Sequence, residues 1–283
     1  MPGITEKDSR RWLVTGGSSG LGRHVVEHVL ARGDSVTATV RRADALDDLA
    51  REHGARLSVE VLDLTRPDDV DDVVGRVVAA GPVDVVVNNA GFAVVGALEE
   101  MSADQIRAQL DVMLAAPLAI TRAVLPSMRA QGGGRIIQIS SMGGQVAIPT
   151  HSIYHAAKWG LEGFSESLHR EVSGFDVHVT LVELGGTRTG FRGALEFATE
   201  LDAYRDGPVG EVKRRLRAAR DDDMTGDPAK IAAAIYDTTR RPDPPLRLVL
   251  GADSYDAVHD ALSERLAALR AQRTSARSVA FDD

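Results

Sequence analysis

Short runs rich in valine, isoleucine and leucine alternate along the chain with longer segments whose apolar positions recur every three or four residues. Seven runs read as strands, at residues 12–15, 35–40, 57–62, 83–88, 135–140, 177–182 and 246–250, because β-branched and aliphatic residues cluster there between turn formers. Several are apolar throughout rather than alternating, which predicts strands covered on both faces. Helical spacing marks residues 21–31, 43–53, 68–79, 103–129, 152–172 and 231–239. This alternation, with right-handed crossovers, predicts an α/β fold: a doubly wound parallel sheet of about seven strands with helices on both faces. No repeat, low-complexity tract or linker divides the chain, so residues 1–283 are expected to form one domain.

Two segments break the rhythm. Residues 191–228 replace a short connection with an insertion that carries a basic run from Lys213 to Arg220 followed by Asp221, Asp222 and Asp223. It reads either as a solvated helix and turn or as a substrate lid, since it follows a strand whose carboxyl end should face the ligand crevice. A last helix is expected to end near Gln272, and residues 273–283 to form a loosely held tail.

Composition narrows the chemistry. None of the 283 residues is cysteine, which excludes disulfides, thiolate metal sites and a cysteine nucleophile. A formal charge of −8 argues against broad nucleic-acid binding. The longest uninterrupted apolar run, Met113 to Ile120, is far below the roughly 20 residues of a membrane span, so none is expected. Glu6, Lys7, Asp8, Arg10 and Arg11 stand where a secretion signal would need apolar residues, and a cytoplasmic address is the expectation.

The first strand runs directly into Thr15, Gly16, Gly17, Ser18, Ser19, Gly20, Leu21 and Gly22, which open an amphipathic helix. Glycines let the backbone turn tightly and approach a pyrophosphate, while the helix N-terminus offers it unpaired N–H groups. At the end of the second strand, a carboxylate would hold the ribose 2′-hydroxyl of NAD. Arg41 and Arg42 stand there instead. A guanidinium can grip a 2′-phosphate through paired charge-assisted bonds, so NADP(H) is the expected cofactor.

Tyr154 and Lys158 lie one helical turn apart and share a face. An ammonium beside a phenol would lower the pKa of the phenol and make it a better proton relay. Ser141 closes the fifth predicted strand, where its hydroxyl could hold a carbonyl oxygen while Tyr154 protonates it. His24 and His28 share a helix face, as do His151 and His155, but neither pair has the carboxylate arrangement of a metal site.

Taken in order, the Thr15–Gly22 loop, Asp63, the turn Asn88-Asn89-Ala90-Gly91, Ser141 and the Tyr154/Lys158 pair resemble the short-chain dehydrogenase/reductase family over nearly the whole chain. The resemblance implies a Rossmann-type fold and NAD(P)-linked interconversion of alcohols and carbonyls. It implies that Asp63 contacts the adenine, that Asn89, Ala90 and Gly91 line the adenosine ribose, and that Lys158 also binds the nicotinamide ribose. It further implies a homodimer or homotetramer associating through the helices at 103–129 and 152–172.

Two positions depart from the family pattern. Met113 stands where many members have asparagine, in a helix that the family kinks so that a backbone carbonyl holds a water linked to the lysine. Leu184-Gly185 replaces Pro-Gly after the sixth strand, with Thr187 and Thr189 left as candidates to bind the carboxamide. Both changes put flexible apolar residues near the reacting centre, and Met113, Met142, His151, Leu184 and Phe191 are the expected substrate-pocket residues. A bulky hydrophobic ketone or alcohol would suit them. Alternatives are a catalytically weakened dinucleotide-binding regulator or scaffold, and an epimerase or dehydratase that regenerates its nucleotide internally.

Overall fold

The computed structural model describes residues 9–281. Glu6, Lys7 and Asp8 of the charged N-terminal stretch, and the last two residues of the expected tail, lie outside the described residues. Among those described, seven strands form one parallel sheet: β1 (Arg11–Thr15), β2 (Ser35–Val40), β3 (Leu57–Val61), β4 (Val85–Asn88), β5 (Gly134–Ile139), β6 (Val177–Leu184) and β7 (Arg247–Leu250), in the order β3-β2-β1-β4-β5-β6-β7. The order in which strands are added reverses between β1 and β4, the kind of switch point beyond whose carboxyl strand ends open α/β sheets bind ligands. Pairing on both sides of β1 sets Val14 opposite Ala38 and Val87.

Because side chains alternate along a strand, β1 sends Trp12 and Val14 to one face and Leu13 to the other. On the first face they meet α1 (Gly20–Ala31), α2 (Asp47–His53) and, from late in the chain, Ile231, Ile235 and Tyr236 of the helix Pro228–Thr239. Across the sheet, α3 (Pro67–Ala79) supplies Val70, Val73, Val74 and Val77. This face is completed by residues 103–130, which comprise α4 (Ala103–Leu110), a π-helical turn at Asp111–Ala115 and α5 (Ala116–Ala130), and by α6 (Ser152–Val172). Burial of both faces is why the strands read as unbroken apolar runs.

Two sequence expectations change, and a third meets a longer apolar helix than uninterrupted runs reveal. Residues 103–130 are long and apolar enough to cross a bilayer by length and composition, which a search for uninterrupted apolar runs overlooks. Here Ala116, Ile120, Val124 and Met128 are packed in the core, as in a core helix. Within the insertion 191–228, the helix α7 (Pro208–Ala218) does form, but Lys213 in its basic run is buried rather than solvated. After α8 (Pro228–Thr239), α9 (Ala252–Ala271) leads into a helical turn at Arg273–Arg277, so part of the expected loose tail is helical, and all of it that is described is exposed.

Candidate active site

The glycine loop and the turn after β4 hold one another at the crevice. Thr15 Oγ1 accepts the N–H groups of Asn89 at 2.9 Å and Ala90 at 3.1 Å, and Asn89 Nδ2 donates to the carbonyls of Thr15 at 2.9 Å and Gly16 at 3.3 Å. Gly16 adopts φ +67°, where a side chain would be strained. A Cβ on Gly22 would overlap the Gly16 carbonyl and come within 2.5 Å of Asn89 Nδ2. The first turn of α1 has no side-chain cap from Ser19, so its N–H groups remain available to an anion. Thr189 roofs this cradle, its carbonyl 3.0 Å from where a Gly20 Cβ would stand. Ser18 is half-buried, whereas Leu21 is buried and belongs to the core beneath the loop.

Arg41 and Arg42 emerge into solvent at the carboxyl end of β2. Arg42 pairs with Asp44 at 3.3 Å, leaving Arg41 with no hydrogen-bond partner among the described residues. Asp63 follows β3 on the same rim. The Thr65 N–H and hydroxyl, at 3.0 and 2.8 Å, hold its carboxyl below the usual range, with Arg66 and Arg41 adding to the effect. Gly91 is exposed. This edge combines a capless helix terminus, a close backbone approach and a guanidinium facing solvent, features that could hold a dinucleotide.

Ser141, Tyr154 and Lys158 converge beside the cradle. Ser141 Oγ accepts the Gly143 N–H at 3.1 Å and lies 3.5 Å from the Leu184 carbonyl, and its hydroxyl is hydrogen-bonded to that of Tyr154. Burial raises the pKa of the Tyr154 phenol, and the Ser141 bond opposes this. The expected lowering by Lys158 is not what the geometry gives. Lys158 Nζ is 5.9 Å from the ring centroid and donates to the Ile139 carbonyl at 2.6 Å. Burial also pulls the ammonium itself down to about 8, with Glu162 opposing.

The two histidines flank Tyr154 edge-on, each 5.8 Å between centroids. His155 Nε2 accepts the Ile148 N–H at 3.0 Å while Nδ1 faces the Gly143 carbonyl at 2.8 Å, which places its proton on Nδ1 and pins the loop over the site. His151 meets the Thr150 hydroxyl at 2.7 Å. No cluster of metal-ligating side chains occurs among the described residues.

Of the expected pocket residues, Met142 and His151 are half-buried near Tyr154 and Phe191 is exposed on the insertion. Met113 sits in the π-turn, fully buried, with its side chain 3.8 Å from a Cβ position on Gly91, against the ribose-side turn. Leu184 is half-buried and packs against the core under the first face. After it, Gly186 N–H donates to Asp253 at 2.7 Å, and a Cβ on Gly185 would overlap that carboxylate. Thr187 donates to the Gly185 carbonyl at 3.1 Å.

Several residues around the site carry no periodic signature in the sequence. Behind Ser141, Ser140 donates to Glu162 at 2.6 Å, and Arg247 Nε spans Glu162 at 3.1 Å and Glu183 at 3.3 Å. Burial and the Glu162 charge push Glu183 up to about 7, against Gln145 and Arg247. A glutamate between the apolar Val182 and Leu184 of β6 is the available clue. The insertion, for its part, is fastened to the body. Glu196–Phe197 pairs with Val94–Val95, Tyr204 donates to Glu99 at 2.6 Å, and Lys213 donates to the buried Glu100 at 2.6 Å.

A family model described as short chain dehydrogenase matches residues 10–198. The chain belongs to the short-chain dehydrogenase/reductase family. It is 36% identical over 251 residues to "Oxidoreductase BOA17" of Botryotinia fuckeliana, covering 87% of this chain and 90% of that protein. It is 34% identical over 256 residues to "Estradiol 17-beta-dehydrogenase 1" of Rattus norvegicus, covering 85% and 73%. A short-chain dehydrogenase structure from Streptomyces avermitilis aligns over 98% of this chain and 100% of that one, with 39% identity and a TM-score of 0.89. Two further solved neighbours carry bound nucleotide, one NADP and one NAD. As a member of this family the chain is an oxidoreductase with a single seven-stranded Rossmann-type domain.

Proposed function

We propose that this oxidoreductase is an NADP-dependent carbonyl reductase or alcohol dehydrogenase acting on a bulky hydrophobic ketone or alcohol. The observation that carries the reading is the meeting of Ser141, Tyr154 and Lys158 beside the glycine cradle. Gly16 to Gly22 and the open N-terminus of α1 would hold the pyrophosphate, Asn89, Ala90 and Gly91 the ribose, Asp63 the adenine, and Thr187 and Thr189 the carboxamide. Arg41, exposed and without a hydrogen-bond partner among the described residues, suits a 2′-phosphate. When bound, the nicotinamide supplies or takes up the hydride.

In the reducing direction, a carbonyl oxygen would sit between the hydroxyls of Ser141 and Tyr154, which are hydrogen-bonded to one another. Ser141 holds that oxygen and Tyr154 passes it a proton. A buried phenol held above its ordinary pKa keeps its proton at neutral pH, which suits a donor. Lys158 supplies a cation at the base of the site and would also hold the nicotinamide ribose hydroxyls. Met142, His151 and Phe191 would border the substrate, with the insertion as a lid. The 34% identity to the rat estradiol dehydrogenase supports a hydrophobic substrate of that size. NADPH consumption followed by absorbance against aliphatic, aryl and cyclic ketones, in parallel with NADH, tests the reading. Turnover with bulky ketones and NADPH is expected, and nucleotide binding without turnover on any ketone would overturn it.

A further inference from the structure

We propose that the projecting end of α9 is an interface for a second copy of this chain, the two helices pairing antiparallel about a two-fold axis near Ser263. The base of α9 is docked: Ser254 and Val258 are buried, and Ser254 Oγ donates to the Glu183 carbonyl at 3.1 Å. Arg265 still touches the body, over the Trp159 ring at 4.9 Å and against Gln145 at 3.2 Å. Yet every residue from Leu262 to Ala271 is exposed, on all sides of the helix. A helical segment without a packed face is marginal in water, so this end asks for a partner.

The pattern of the helix says which partner. Tyr255, His259, Leu262, Leu266 and Leu269 follow at steps of four, three, four and three, the spacing of a coiled-coil seam. The leucines are 49%, 47% and 66% exposed and Tyr255 is 61% exposed. Charge is unevenly divided along the helix: Asp256 and Asp260, with Asp253 already held by the Gly186 N–H, precede the axis, Glu264 lies beside it, and Arg265, Arg270, Arg273 and Arg277 follow it. A parallel pair would set acid beside acid and base beside base. An antiparallel pair is self-complementary.

Seating Leu262 against Leu266 of the second copy also opposes His259 to its Leu269. That register brings Asp256 beside the other copy's Arg270, twice by symmetry, because both residues follow a seam position on the same flank. It also carries the exposed Val279 and Phe281 toward the body of the second copy. An anionic membrane would use the arginines but would leave the acidic half unmatched, and the seam is narrower than the broad apolar face that lies in a bilayer interface.

The chain lacks cysteine, so single-cysteine full-length variants report proximity cleanly. Ser263→Cys should give a covalent dimer with a short bis-maleimide. Ser275→Cys should not, because antiparallel pairing sends the ends of the two helices in opposite directions, with the two Ala271 positions already about 24 Å apart along the axis and Ser275 beyond them. Leu266→Glu, at a position already exposed, should halve the sedimenting mass while circular dichroism stays unchanged. Asp256→Arg or Arg270→Asp alone should weaken association about tenfold, and the two together should restore it. Cross-linking through Ser275→Cys but not Ser263→Cys would overturn the proposal. So would unchanged mass in Leu266→Glu, whether or not that variant also loses binding to phosphatidylserine vesicles.

Discussion

Replacing Lys213 with methionine would remove the cation from a carboxylate that the fold has already taken out of water. The Lys213 and Glu100 side chains are 4% and 1% exposed, and they are 2.6 Å apart. Breaking one side of a buried pair costs about 3–5 kcal/mol, since the remaining charge stays buried. Glu100 would keep the N–H groups of Ala97 at 2.7 Å and Leu201 at 3.0 Å. The loss should therefore fall at the lower end, about 3 kcal/mol, or a melting temperature lower by about 6 °C in a chain of this size. Burial pushes the Glu100 carboxyl up, but Lys213 and the two N–H groups hold it below the ordinary range. The stability it contributes is present above that range and lost as pH falls through the lowered value. In Lys213→Met the acid-side loss should begin at higher pH. Urea unfolding followed by tryptophan fluorescence measures both effects, and Lys213→Met with Glu100→Gln should recover at least half the loss. A single-variant loss below about 1 kcal/mol, the size of an exposed pair, or a double variant no better than the single, would refute the latch between insertion and body.

Other expectations follow from the same geometry. Gly22→Ala should weaken NADPH binding at least about tenfold by overpacking the cradle against Gly16 and Asn89, as read by fluorescence titration; unchanged affinity would mean the loop relaxes freely. Arg41→Asp should shift the NADPH-to-NADH ratio of kcat/KM about 10–100-fold toward NADH, the size of one or two charge-assisted bonds; an unmoved ratio would place the reader of the 2′-phosphate elsewhere. Lys158, lowered to about 8, is a cation below that pH, so the reduction rate should fall as pH rises through about 8. Glu162→Gln removes the charge that supports the ammonium and should move this break to lower pH. Because the unfolded chain keeps the lysine proton to higher pH, Lys158 should also make stability rise with pH above about 8.

Sequence carried the parts of the molecule that are written locally. Val85, Val86 and Val87 announced a strand buried on both faces, Leu21 to Leu30 a helix with one apolar stripe, and Thr15 to Gly22 a turn that only glycine allows. Ser141, Tyr154 and Lys158 were readable because two share a helix face and the third ends a strand. What escaped was set by distance along the chain. Glu162 and Arg247 are 85 residues apart and Glu100 and Lys213 are 113 apart, pairings with no periodic signature. Lys158 beside Tyr154 suggested a lowered phenol pKa, but the nearness of the Ile139 carbonyl depends on how β5 approaches α6. Asp253, which shapes the loop after β6, also had no local mark.

In the proposed reaction Tyr154 delivers the proton to a carbonyl held by Ser141. Single-turnover consumption of NADPH by Tyr154→Phe, with a ketone that the unsubstituted enzyme reduces, tests it most directly. A rate lower by about 10²–10⁴ is expected, with NADPH affinity within about twofold. Turnover retained near the unsubstituted rate would contradict it.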